Sequence, residues 1–404
     1  MRIIIAIVLS CLLSTSTSAT ARRRQTHTLP GQDRSIAAAF EDLFTIGRAS
    51  GAEHELLFGL VDVAFAPDGE LYLLEERNHR VESFGPDGEF LRSFGREGQG
   101  PGEFRLPMTL AITAADEVAV WDFQNRGYAI FSRAGEYLRN VRWEDWQTGP
   151  SRDSVQPWPD GGVVYLQSVL YEDTEPIEQI DRGIIVREPL GAVGGPVELL
   201  AVHHPRRRGR EVEGVLVLDT GPAFAPDAHW DVLSDGRLAV ADGVQYRVRL
   251  VRPGAAEAEI FERPIEPRAT SEADRERERE RIRVLYENAN GSMMGGGSAG
   301  GGGDGRARFA REVADSIEFA GVIPVIEDLR VDFEDRLWIQ RHGAVAGDDG
   351  AIDIVSPAGE YIGTLPPMPL PDAFGPDGLV AWMENGRDVA VERVVVRRLP
   401  PELR

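Results

Sequence analysis

Residues 61–74 read Val61-Asp62-Val63-Ala64-Phe65-Ala66-Pro67-Asp68-Gly69-Glu70-Leu71-Tyr72-Leu73-Leu74, and the fold turns on how this stretch is read. Two short apolar or alternating runs flank an Asp-Gly pair, the pattern of an antiparallel hairpin. Glycine accepts the positive φ that such a turn demands. Asn78-His79-Arg80-Val81-Glu82-Ser83-Phe84 follows as a third strand, and a second Asp-Gly turn at Asp87-Gly88 leads into Phe90-Leu91-Arg92-Ser93-Phe94 as a fourth.

The unit recurs along the chain. Thr109-Leu110-Ala111-Ile112 leads to Val118-Ala119-Val120-Trp121 and on to Gly135-Glu136-Tyr137-Leu138. His229-Trp230-Asp231-Val232 leads to Asp235-Gly236 and Leu238-Ala239-Val240, and Asp328-Leu329-Arg330-Val331 leads to Leu337-Trp338-Ile339. Weaker copies start near Ser154 and Asp372. A four-strand unit repeating every roughly 40 residues is the signature of propeller blades. The expected fold is all-β, a six-bladed β-propeller over residues 40–404, with five or seven blades as the bracket. The last unit has only three strands, so Phe40 to Gly47 is expected to supply the fourth, closing the ring and hiding two sheet edges.

Asn78-His79-Arg80-Val81, followed by Phe94-Gly95-Arg96-Glu97-Gly98-Gln99-Gly100-Pro101-Gly102-Glu103-Phe104 and Pro107, resembles the linker of NHL repeats. The chain as a whole is similar to NHL- and TolB-like six-bladed propellers exported by bacteria. That resemblance implies a fold and no single chemistry, because propellers carry binders, lyases, lactonases and scaffolds alike.

The N-terminus reads as an export signal over residues 1–21. Arg2 is followed by an apolar run from Ile3 to Leu13 and the small-x-small site Ala19-Thr20-Ala21, with cleavage expected before Arg22. The apolar run is too short to span a bilayer. Cys11 lies inside it, in a stretch only faintly like a lipoprotein box, so the mature chain is expected to be periplasmic or secreted and free of cysteine. Without disulfides, stability has to come from the core. Residues 22–39 read as a flexible tail. A net charge of −22 argues against nucleic acid or an anionic membrane as partner. All 44 basic residues are arginine, which excludes Schiff-base lysine chemistry and a phosphate-loop lysine.

Residues 264–323 interrupt the repeat between blades 4 and 5. Ser271 and Asp274 form a capping-box signature ahead of the alternating run Glu276-Arg277-Glu278-Arg279-Glu280-Arg281, which predicts a helix that needs Ile282, Leu285 and Tyr286 to dock. Gly291 to Gly305 reads as a connector and Arg306 to Phe319 as a second short helix.

In a propeller the first strand of each blade starts at the central channel. Stepping back from each hairpin gives Asp62, Thr109, Ser154, His229, Asp328 and Pro371 as the ring at its mouth. Polar groups over an apolar floor describe a ligand pocket. Asp62, His229 and Asp328 are also candidate metal ligands, the oxygens suiting Ca2+ and the imidazole Zn2+; the alternative is that they cap strand ends. Asp227 and Glu327 flank the same register. His203-His204, before Pro205-Arg206-Arg207-Arg208, reads as leading into an exposed loop. The resemblance to amidating lyases would imply several channel histidines, whereas His229 alone occupies the register; the resemblance to lactonases would imply calcium held by Asp, Glu and Asn, and only Asp62 and Asp328 fit. No Gly-x-Ser-x-Gly elbow is present. The readings are a monomeric binding module for a small molecule or protein partner, a metal-dependent hydrolase or lyase, and an envelope scaffold.

Overall fold

The computed structural model describes residues 26–143, 148–169, 182–191, 195–205, 208–212, 215–219, 222–288, 303–384 and 391–404. The expected export signal, Cys11 and most of the glycine-rich connector lie outside the described residues.

Six antiparallel sheets form the blades of a propeller. Blades 1 and 2 open with strands Leu60–Phe65 and Pro107–Ile112, and blade 3 with Thr148–Pro157, which starts six positions before Ser154. Blades 4, 5 and 6 open with His229–Val232, Ile326–Val331 and Ala373–Phe374. The ring closes as the sequence expects: Glu41–Ile46 pairs antiparallel with Arg393–Arg398 and completes blade 6.

Burial explains the strand patterns. Leu71–Glu75 and Arg80–Phe84, the middle strands of blade 1, are buried along their whole length; the first reads as a near-continuous apolar run, whereas the second buries Arg80, Glu82 and Ser83 as well. The outer strand Tyr137–Arg142 of blade 2 alternates strictly. Apolar side chains collect in six clusters, one per seam. Val63, Leu73, Ala381 and Val394 join blades 6 and 1, for example, and Trp338, Ile354, Val380 and Trp382 join blades 5 and 6. Each seam buries a full sheet face, so the disk stands on blade-to-blade packing.

The hairpin between first and second strands uses one backbone solution with different residues. Gly69 and Gly236 hold it at φ 86° and 78°, and Asp116 and Asp335 hold the same place at φ 60° and 62°. Aspartate tolerates the left-handed region better than most side chains, which is why the Asp-Gly signature fades in blades 2 and 5.

The N-terminal segment departs from the expected tail. Thr26–Thr28 adds to blade 4 as a fifth strand, parallel to Ala258–Glu262. Ser35 bridges to Thr364, and Ile36 is buried in the seam between blades 5 and 6. Asp33 binds Arg263 at 2.7 Å and Arg341 at 2.9 Å. Ion pairs and edge pairing hold a stretch whose hydrophobic pattern is blank.

The insertion is built on a two-residue strand pair, Arg268–Ala269 with Val322–Ile323. Helix α1 (Glu272–Asn288) starts with the predicted capping box: Ser271 Oγ accepts from Asp274 N at 3.2 Å, and Asp274 accepts from Ser271 N at 2.9 Å. Asp274 also takes Arg268 at 2.6 Å and Ala346 N at 2.9 Å, fastening the insertion to a loop of blade 5. Helix α2 (Gly303–Asp315) begins inside the expected glycine connector and packs on α1 through Tyr286 and Phe309. A further hairpin, Arg208–Val212 with Val215–Asp219, replaces part of the loop expected after His204. No helix among the described residues is long and apolar enough to cross a membrane.

Candidate functional site: the central channel and its mouth

First strands line the channel because the pleat turns alternate residues inward. All six blades contribute to a cavity of about 720 Å³. Its apolar lining includes Val61, Ala64, Leu110, Val155, Ala373 and Phe374. Its polar lining includes Asp62, Thr109, Asp231, Arg330 and Asp372.

Each carboxylate is pinned by backbone. Asp62 accepts from Thr109 Oγ1 at 2.6 Å, Leu110 N at 2.8 Å and Val63 N at 2.9 Å, so it ties blade 1 to blade 2. Asp231 does the same between blades 4 and 5, accepting from Val331 N at 2.7 Å and Val232 N at 2.8 Å. Asp372 accepts from Met383 N through Oδ2 at 2.6 Å. Burial pushes the Asp62 and Asp231 carboxyls up to about 6, and it raises Asp372 too. Arg330 is the guanidinium among them. Asp328, then Asp231, Asp372 and Asp62, hold its charge in place against the cost of burial.

The mouth lies where the first strands begin, on the face that carries the insertion. His229 Nδ1 lies 3.6 Å from Asp328 Oδ1, and Asp328 Oδ2 lies 3.5 Å from Arg330. Burial acts to raise Asp328, but Arg330 and His229 outweigh it and hold the carboxyl below its usual range. Glu327, beside it, is pushed up to about 7 by burial and by the neighbouring Asp328 and Asp349. His342 Nδ1 is 3.5 Å from Glu327 Oε2, and burial drives this imidazole down to about 4. His204 Nδ1 meets Asp227 Oδ1 at 2.7 Å; that contact outweighs burial and lowers the Asp227 carboxyl.

Of the residues expected at the mouth, His229 starts its strand, whereas Asp62, Thr109 and Asp328 stand at the third position of theirs; Asp62 is hydrogen-bonded to Thr109, and His229 lies beside Asp328. Ser154 falls within the first strand of blade 3. Pro371 gives way to its neighbour Asp372 as the inward group of blade 6. As a metal set, Asp62, His229 and Asp328 are split between blades 1, 4 and 5, on opposite sides of the ring, and no three His, Cys, Asp or Glu side chains among the described residues come together to hold an ion. Asp231 and Arg330 were missed although they lie two positions beyond His229 and Asp328 on the same strands, where period-two alternation would have found them. The His204–Asp227 pair joins residues 23 positions apart and carries no local signal.

No family model matches the chain. A segment of 99 residues is 31% identical to the mouse E3 ubiquitin-protein ligase TRIM32, covering 24% of this chain and 15% of that protein. The chain thus spans about a seventh of the length of that curated relative. Among solved structures, a member of the DUF4221 family from Bacteroides vulgatus is similar over 89% of this chain and 98% of its own, with a TM-score of 0.50 at 10% identity. A Bacteroides fragilis protein described as exported is similar over 93% of this chain and 100% of its own, with a TM-score of 0.49 at 11% identity. Streptogramin B lyase covers 90% of this chain and 100% of its own, at a TM-score of 0.43 and 10% identity. At 10% identity the likeness to the DUF4221 member speaks to the fold alone.

Proposed function

We propose that this protein is an exported binding module of NHL-like build whose small ligand occupies the central channel. One observation carries the reading: polar groups fixed by backbone hydrogen bonds converge on a cavity of about 720 Å³ lined in part by apolar side chains, a volume and lining suited to a small molecule. Export rests on the N-terminal 21 residues, cleaved before Arg22, with the lipoprotein box at Cys11 unused. The mature chain acts as a monomer.

The test is a thermal-shift screen of the mature protein against a chemically mixed library. Hits should stabilise the parent and lose their effect in Ala64→Phe, whose ring fills the channel. Turnover of esters, lactones or amidation intermediates in the same screen would replace binding with catalysis. Mass measurement of the periplasmic form checks the cleavage site.

A second reading is metal-dependent hydrolysis or lyase chemistry at the mouth, favoured by His229 lying beside Asp328 with Glu327 next to it. Because Asp62 stands on another blade, an ion there would take donors from His229 and Asp328 and the rest from water or ligand. Elemental analysis after dialysis, on protein purified without affinity histidines, decides this reading. About one Ca2+ or Zn2+ per chain, lost in His229→Ala, supports it, and a metal-free protein unmoved by either ion removes it.

A further inference from the structure

Several buried or part-buried guanidinium–carboxylate pairs among the described residues close to hydrogen-bond distance. Arg80 meets Glu75 at 2.7 Å, Arg139 meets Glu117 at 2.7 Å and Arg263 meets Asp353 at 2.8 Å. The channel is different. Arg330 pairs with Asp328 at 3.5 Å, and Asp62, Asp231 and Asp372 spend their hydrogen bonds on backbone N–H groups and on Thr109 instead. Asp62, Asp231 and Asp372 therefore line, together with one guanidinium, a cavity large enough for a guest, each held in position by backbone N–H groups rather than by a close ion pair, while Asp328 is the carboxylate paired with Arg330. A pocket with positive charge in deficit, fixed in advance and lined in part by apolar side chains, favours a guest that brings positive charge on an alkyl frame. Little of the binding energy would then go into ordering the protein.

From this balance, and resting on the channel reading above, we infer that the ligand is an aliphatic organic cation whose ammonium groups lie among Asp62, Asp231 and Asp372 while its methylene chain covers the apolar wall. Arg330 acts as the resident counter-charge that such a guest displaces or opposes. A dianion is disfavoured, since it would meet one guanidinium, already paired with Asp328, and the carboxylates of Asp62, Asp231 and Asp372.

Titration calorimetry of the mature full chain at low salt tests this with three probes: putrescine as the diamine, succinate as the dianion and myo-inositol as the neutral polyol. Putrescine should bind one per chain and the other two not measurably. Asp372→Asn should weaken putrescine at least tenfold, and Arg330→Met, which removes the competing cation, should tighten it several-fold. The opposite directions of these two variants separate a charge effect from a folding defect, with circular dichroism confirming the fold of each. Succinate binding that disappears in Arg330→Met would overturn the cation assignment and leave the channel as a ligand site. Putrescine binding indifferent to both variants would place the cation elsewhere and overturn the assignment too. If none of the three probes binds and no library compound shifts the melting temperature, the channel reading falls with it.

Discussion

Arg263→Met should destabilise the protein by about 3 kcal/mol, at the lower end of what removing one partner of a buried ion pair costs. The Arg263 and Asp353 side chains are both fully buried and 2.8 Å apart. The same guanidinium donates to Pro30 O at 2.7 Å and Asp33 at 2.7 Å, and lies 4.7 Å from the centre of the Tyr361 ring. It therefore couples three pieces: the last strand of blade 4, the third strand of blade 5 and the N-terminal segment. Methionine fills most of the volume, so the loss isolates charge and hydrogen bonding from packing. Asp353 would keep Thr364 Oγ1 at 2.5 Å and the more distant Arg341 at 3.7 Å, which is why the lower end of the range applies. Urea unfolding should show a lower midpoint at unchanged slope. Adding Asp353→Asn should restore about half of the loss, because the uncompensated charge is gone. Limited proteolysis should also cut residues 26–38 sooner in the single variant. A loss below about 1 kcal/mol, or a double variant no better than the single, would refute the claim that this pair locks the segment to the ring.

Glu82 gives a pH signature. Burial pushes its carboxyl up to about 8, with Arg80 opposing the shift and Glu75 adding to it. A folded value above the unfolded one, which is about 4.3, means its contribution is complete below pH ~4 and is lost as pH rises toward 8, at no more than about 1.4 kcal/mol per pH unit. Glu82→Gln should flatten that fall, so urea midpoints of parent and variant diverge between pH 5 and 8; parallel curves would remove the assignment. The Tyr165 hydroxyl is buried without a partner, whereas Tyr72 accepts from Arg133 Nε at 3.1 Å. Tyr165→Phe should be neutral or stabilising, and Tyr72→Phe should cost about 1 kcal/mol by the same unfolding assay. Asp274→Ala removes the acceptor for Ser271, Arg268 and Ala346. Protease sensitivity should rise within residues 264–323, while the blades keep their melting temperature to within a few degrees.

The blades were legible because the physics that builds them is local. A hairpin needs a residue that tolerates positive φ, and a strand buried on both faces needs an apolar run. Val61 to Leu74 satisfies both within fourteen positions. The N-terminal segment was not legible for the converse reason. Thr26–Thr28 has three residues and no apolar alternation, and it is held by an edge that belongs to residues 258–262. The hairpin after His204 was hidden by an arginine run that looks like a solvated loop. The insertion falls between these cases, since its capping box is a four-residue signal while its anchoring through Asp274 to Ala346 spans 72 positions.

The site shows how the same register serves two purposes. Counting back from the hairpin finds Asp62 and His229 because every first strand enters the channel at that point. It stops short of Asp231 and Arg330, one inward position deeper, and slips at blade 6, where the strand starts only at Ala373 and the inward group is Asp372 rather than Pro371. A carboxylate in this register can tie one blade to the next or face a ligand, and the sequence does not distinguish these roles. The hydrogen bonds do. Asp62 and Asp231 reach across a seam to Leu110 N and Val331 N, so replacing either should loosen the ring as well as the pocket. Asp372 bonds through Oδ2 to the second strand of its own blade, and Asp328 Oδ2 has only a long contact with Arg330. The seam bonds hold the ring at a fixed diameter, and that fixed diameter keeps these less committed carboxylates apart from each other and from Arg330. The unbalanced charge in the channel is thus a product of the closure that stabilises the fold.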